Sequence, residues 1–164
     1  MHDGYLFTLG ICGSAAEDDP APEVLSTLLG AIPPVKRAAF LGVLPTEQPD
    51  PLVSEIVADM RDAELIVIVT PASTPQLPAR LNDLLRAACA TDLGEHYAVL
   101  VAIGPYAASV LPALQAAVTQ CGLVVTGTAA LAAADPVPIE VVRTAYATAR
   151  AALAPHALPH EVNG

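Results

Sequence analysis

Glycines, hydroxyl residues and one tyrosine stand just after three aliphatic runs of this chain. Cys12-Gly13-Ser14 closes the first run, Thr70-Pro71-Ala72-Ser73-Thr74 the second and Ile103-Gly104-Pro105-Tyr106 the third. These residue types bind a ligand; they do not by themselves make or break bonds. Backbone N–H groups and Ser or Thr hydroxyls donate hydrogen bonds, and a tyrosine offers a flat face against which a planar ring can stack. No nucleophile is paired with a base: there is no Walker loop, no G-x-S-x-G elbow and no Cys/His zinc spacing. We therefore nominate no catalytic acid or base and no metal ligand.

Other chemistry-bearing residues read as structural. His96 stands before a strand, at the opposite end from the three loops, and is expected at the surface. His156 and His160 have i,i+4 spacing, but Pro155 and Pro159 break up the segment that carries them. Arg80 and Arg86 fall in one helical pattern; they are suited to meet a phosphate or a neighbouring subunit, but solvated helix residues are the expectation. Cys12, Cys89 and Cys121 are odd in number and widely spaced, which argues against a disulfide framework and a zinc site; reduced thiols are the expectation.

The elements that must position the three loops alternate between strand and helix. Tyr5 to Cys12, Val35 to Leu44, Leu65 to Thr70, Tyr97 to Ile103 and Leu123 to Leu131 read as strands. Between them, Pro22 to Ile32, a segment with Asp50 as N-cap and Pro51 at its first position, Pro78 to Cys89 and Ser109 to Cys121 carry apolar residues at helical spacing. Ser109 reads as the cap of its helix. Pro138 to Leu153 is a last helix, and residues 155–164 a loose tail, leaving one domain over residues 1–154. The first, third and fourth strands are nearly unbroken aliphatic runs, as in parallel strands buried on both faces. Right-handed crossovers put helices on both sides, giving a three-layer, doubly wound sheet, and five β-α units without a second Rossmann half suggest five parallel strands in the order 2-1-3-4-5. Ligands bind such sheets beyond the C-terminal strand ends, where the first and third strands diverge. The three loops converge there.

Composition narrows the partners. The chain has 164 residues, 54% of them hydrophobic, with a formal net charge of -10. That charge disfavours nucleic acid, whose phosphates need basic contacts, and anionic membrane surfaces. No apolar run reaches the roughly 18 residues of a membrane span. Met1-His2-Asp3-Gly4 lacks the basic flank of a signal peptide, so cytoplasmic residence is the expectation.

At its loops the sequence resembles the NADPH-dependent FMN reductase family of flavodoxin-like proteins. The resemblance lies in I-C-G-S at Gly13-Ser14, in I-V-I-V-T-P-A-S-T-P-Q-L-P-A-R-L-N-D-L from the third strand into its helix, and in A-I-G-P-Y at the fourth. It implies FMN held by Gly13, Ser14, Pro71, Ala72, Ser73, Thr74, Gly104, Pro105 and Tyr106, and NAD(P)H as electron donor. It also implies a small-molecule electron acceptor and a homodimer or tetramer. In such an enzyme the cofactor carries the redox chemistry and the protein binds and orients it.

The sequence departs from the family in two loops. Where the family carries an Arg and several hydroxyls, Ser14 is followed by Ala15-Ala16-Glu17-Asp18-Asp19. A carboxylate about 6 Å from a phosphate charge repels it by roughly 0.7 kcal/mol in water and roughly 3 kcal/mol at an effective dielectric of about 20. A helix N-terminus attracts an anion by only ~0.3–1 kcal/mol. The acids must therefore point away, as solvated residues or helix caps, if a phosphate is to sit here. In the second loop Ala72 and Ser73 replace the family's aromatic, and the hydroxyls of Ser73 and Thr74 are also suited to plain turn geometry. Tyr106 is either the replacement stacking residue or a rim tyrosine. A flavodoxin-like binding or assembly module that has lost FMN is the alternative reading. An acidic electron carrier fits the charge but lacks a hydroxyl-rich phosphate loop.

Overall fold

The unbroken aliphatic runs form the middle of the sheet. In the computed structural model, which describes residues 5–13, 19–34, 36–41, 51–91, 93 and 96–157, the strands are β1 (Thr8–Cys12), β2 (Lys36–Phe40), β3 (Leu65–Pro71), β4 (His96–Ile103) and β5 (Leu123–Leu131). All neighbouring pairs are parallel, and the order is β2-β1-β3-β4-β5. Every residue of β1 and all but the last of β3 are buried. The outer strands are more open: no residue of β2 is buried, and β5 buries its two ends, Leu123 and Leu131.

Helices cover both faces. They are α1 (Ala21–Gly30), α2 (Pro51–Asp62), α3 (Ala79–Cys89), α4 (Ala107–Gln120) and α5 (Ile139–Ala157). Strand alternation divides the core in two. Leu9, Ile11, Ile66, Ile68 and Leu100 point toward α2, α3 and α4, where they meet Ile56, Met60, Leu81, Leu84 and Leu114. Val67, Val69, Val99 and Val101 point the other way and meet Leu25 and Leu28 of α1 and Val142 and Tyr146 of α5. Each large aliphatic side chain so buried contributes about 1.5–3 kcal/mol. Among the described residues no helix is long and apolar enough to cross a membrane.

Several boundaries differ from the sequence reading. β1 starts at Thr8, not Tyr5, because side chains take the preceding amides: Leu6 N–H donates to Tyr146 Oη and Phe7 N–H to Glu64 Oε1, both at 2.9 Å. β2 ends at Phe40; residues 42–44, and the expected cap Asp50, lie outside the described residues. α4 begins at Ala107, so Ser109 sits inside the helix and Tyr106 occupies the cap position without a side-chain cap bond. The helix starts early because Ala107 buries its methyl in a small cluster with Ala72, Ala102 and Val110. α5 continues past Pro155 to Ala157, the last described residue; the proline forgoes one amide bond. His160 lies outside the described residues.

The cysteine expectation is overturned. Cys89 and Cys121 form a disulfide, with Cα atoms 4.3 Å apart. They are distant in sequence, but α3 and α4 lie side by side and end at the same level. His96 and Arg80 are also corrected. His96 is half-buried, its two ring nitrogens against the carbonyls of Ala63 and Leu93. Arg80 is only 5% exposed, since it shares an inward face of α3 with Leu84, while Arg86 is exposed as expected.

Candidate functional site

The three loops leave the sheet only after one further rung of backbone bonding. Along the C-terminal edge, Leu41 N–H donates to Cys12 O at 3.0 Å and Gly13 N–H to Val69 O at 2.8 Å. Ala72 N–H donates to Ile103 O and Gly104 N–H to Leu131 O, each at 2.8 Å. These bonds carry the parallel register across all five strands to the point where the loops diverge.

Close backbone approach then locks the loops together. A Cβ on Gly13 would stand 3.0 Å from Thr70 Oγ1 and 3.4 Å from Leu81 Cδ2, so this glycine lets β1 pass tightly over the end of β3. Gly104 has φ +139°, and a Cβ there would lie 2.7 Å from the carbonyl oxygen of Ala72. Only glycine meets both conditions without strain. Beyond it, Tyr106 N–H donates to Ala72 O at 2.9 Å.

This arrangement assigns the nominated residues different tasks. Ala72 is fully buried, and both its backbone groups are committed to β4 and to the Tyr106 loop; it is a clamp between loops. Pro71 is half-buried and ends β3. Gly13 and Gly104 set the approach distances. Ser73, Thr74, Pro105 and Tyr106 are exposed, Tyr106 by 43%. The Thr74 hydroxyl makes a local turn with the backbone of Gln76 at 3.4 Å, in keeping with the turn-forming role open to it. Ser14, Glu17 and Asp18 lie outside the described residues.

The acidic loop has one defined member. Asp19 Oδ1 accepts the N–H of Ala21, the first residue of α1, at 2.9 Å. The carboxylate thus takes one of the donors that a helix N-terminus would otherwise offer an anion. A buried cation stands at the same edge: Arg80, in the first turn of α3, directly precedes the Leu81 that packs against Gly13.

Two features escaped sequence reading. Thr70, fully buried, turns its hydroxyl to the Pro71 carbonyl at 3.1 Å and forms the surface against which Gly13 packs. The β5–α5 loop adds a fourth segment to this edge; its exposed Ala132 donates to Asp135 Oδ2 at 2.8 Å. The accepting Asp135 carboxylate reaches backward, to an amide three residues before it, and not forward as in an Asx turn, so no standard spacing signalled it. Among the described residues no cluster of three His, Cys, Asp or Glu could hold a metal ion.

For a flavin, the ring end of this site fits, with exposed Ser73 and Tyr106 on loops stapled to each other. The phosphate end carries the Asp19 carboxylate on α1, so a phosphate there must rest on donors other than the Ala21 amide.

No family model and no curated protein matches the sequence. Solved structures do. An NADH:FMN oxidoreductase in its apo form superposes with a TM-score of 0.65 over 90% of this chain and 89% of its own, at 13% identity. The flavoenzyme NAD(P)H:(acceptor) oxidoreductase FerB from Paracoccus denitrificans gives 0.61 over 73% and 74%, also at 13% identity. A flavoprotein in complex with FMN from Lactobacillus acidophilus NCFM gives 0.53 over 76% and 93%, at 16% identity. Strand order, the placement of helices on both faces and these superpositions agree: the chain has the flavodoxin-like fold.

Proposed function

We propose that this protein is an FMN-dependent NAD(P)H oxidoreductase whose flavin lies at the C-terminal strand ends. The reading rests above all on one observation. Ala72 binds the β3 and β4 loops into one rigid rim, and that rim presents exposed Ser73 and Tyr106 where this fold places ligands. Bound FMN would supply hydride acceptance from NAD(P)H and electron transfer to a small-molecule acceptor. The chain's own part is to hold and shield the ring. Tyr106 stacks against it, backbone N–H groups of Ser73 and Thr74 reach its polar edge, and Gly13 and Gly104 keep the floor low. No side chain here is asked to move a proton. A homodimer or tetramer that closes the pocket, resident in the cytoplasm, completes the proposal.

The absorption spectrum of the purified protein, followed by titration with FMN, tests it. A yellow protein, or micromolar affinity of about -8 kcal/mol, supports the reading; no uptake at high micromolar FMN rejects it. NADH and NADPH oxidation with a quinone or free FMN then measures the reductase activity, and size-exclusion chromatography the assembly. A second reading is favoured by Asp19. With its carboxylate on the α1 N-terminus, the chain is a flavodoxin-like binding module that has given up the cofactor, and the titration stays blank.

A further inference from the structure

The Cys89–Cys121 disulfide lies at the opposite end of α3 and α4 from the candidate flavin site, and its surroundings suit a chemistry of its own. Cys89 ends α3 and is exposed, whereas Cys121, just after α4, is only 8% exposed. A cleft of about 460 Å³ opens beside them, with Thr91, Gln120 and Gly122 on its walls. Gly122 has φ +88°, and this left-handed turn takes the chain away from α4 toward β5. Arg86 stands three residues before Cys89 and is exposed. At that spacing it shares the helix surface and favours the approach of an anionic thiol to an otherwise acidic protein. The pair is thus reachable, and unequally so. Thiol–disulfide exchange depends on which sulfur an incoming thiolate can reach.

We propose that Cys89–Cys121 is a reversible exchange site for small thiols of the glutathione type, with Cys89 the sulfur attacked and Cys121 the sulfur that leaves. The incoming thiolate forms a new S–S bond to Cys89 Sγ. The Cys89–Cys121 bond breaks, and Cys121 departs with the electron pair and takes a proton from water. A second thiolate attacks the outer sulfur of the mixed disulfide, releasing the thiol's own disulfide and leaving Cys89 as a thiol. Two small thiols are oxidised and one protein disulfide is reduced; the reverse sequence restores the bond. The Ala72 clamp lies at the other end of α3 and α4, so the candidate flavin site keeps its geometry throughout.

The test uses the folded wild-type protein, incubated with reduced glutathione, quenched with acid and mapped by mass spectrometry. The expected result is glutathione on Cys89, a thiol at Cys121, and no adduct on fully buried Cys12. Adduct on Cys121, or no reaction until the protein is unfolded in denaturant, overturns the proposal. Single variants give an independent reading with oxidised glutathione. Cys89 in Cys121→Ser should be modified more than about tenfold faster than Cys121 in Cys89→Ser, and equal rates overturn the assignment of the attacked sulfur.

Discussion

The carbonyl of Ala72 is held from two sides by the β4–α4 loop: Tyr106 N–H donates to it at 2.9 Å, and Gly104 passes so close that a Cβ would stand 2.7 Å from it. Gly104→Ala should therefore be costly. It adds a residue disfavoured at φ +139° and a clash with backbone that cannot rotate away. The expected loss is at least about 2 kcal/mol, read as a shift in the urea midpoint, with flavin uptake falling at the same time. Wild-type stability in this variant would mean that the clamp is soft.

Tyr106 separates binding from folding. Its backbone takes part in the clamp, but its side chain is 43% exposed. Tyr106→Ala should leave the unfolding midpoint nearly unchanged and weaken FMN by ~1–3 kcal/mol, by analogy with stacking of bases on aromatic residues. Unchanged FMN affinity would assign the tyrosine to the rim.

Asp19 offers a gain instead of a loss. Asparagine keeps an oxygen for the Ala21 amide and is as good a helix cap, yet removes a negative charge from the α1 N-terminus. Asp19→Asn should tighten FMN by roughly 3- to 150-fold, on the order of 0.7–3 kcal/mol at a separation of about 6 Å, and leave riboflavin, which has no phosphate, unaffected. Equal effects on both ligands would place the phosphate elsewhere.

Thr8 tests the sheet interior. Its hydroxyl is buried in β1 with no hydrogen-bond partner among the described residues. Replacement by the isosteric valine removes an unsatisfied group that costs roughly 1–3 kcal/mol. Thr8→Val should thus raise the thermal midpoint by several degrees, measured by circular dichroism; destabilisation would reveal a bond partner for the hydroxyl.

Reduction of Cys89–Cys121 should lower stability without opening the site. The two cysteines are 32 positions apart, and a closed loop of that length contributes about 3–4 kcal/mol by restricting the unfolded chain. The urea midpoint with and without a reducing agent measures this, and the Cys89→Ser, Cys121→Ser double variant should no longer respond.

Much of this could be read from the residues. The runs Leu65 to Thr70 and Ala98 to Ile103 read as strands covered on both faces, and the count of five β-α units pointed to the strand order and so to the edge where the loops meet. What escaped was set by packing across elements. Cys89 and Cys121 pair because α3 and α4 end side by side, which no spacing rule contains. Arg80 is buried because it stands one turn before Leu84 on the inward face of α3. Ser109 looked like a cap because Ser commonly is one; α4 begins two residues earlier because Ala107 has a buried cluster to join. Ala72 read as a weak substitute for an aromatic, yet its methyl belongs to the buried cluster with Ala102, Ala107 and Val110, and its carbonyl is what Gly104 and Tyr106 close over.

The disulfide also has a topological result. Cys89 and Cys121 enclose β4 and the exposed Pro105-Tyr106 turn within one covalent ring. A protease that cuts this turn opens the ring without separating the pieces. The nicked protein should migrate as a single band on an unreduced gel and as two fragments after reduction, so the intactness of the candidate site and that of the polypeptide become separately measurable.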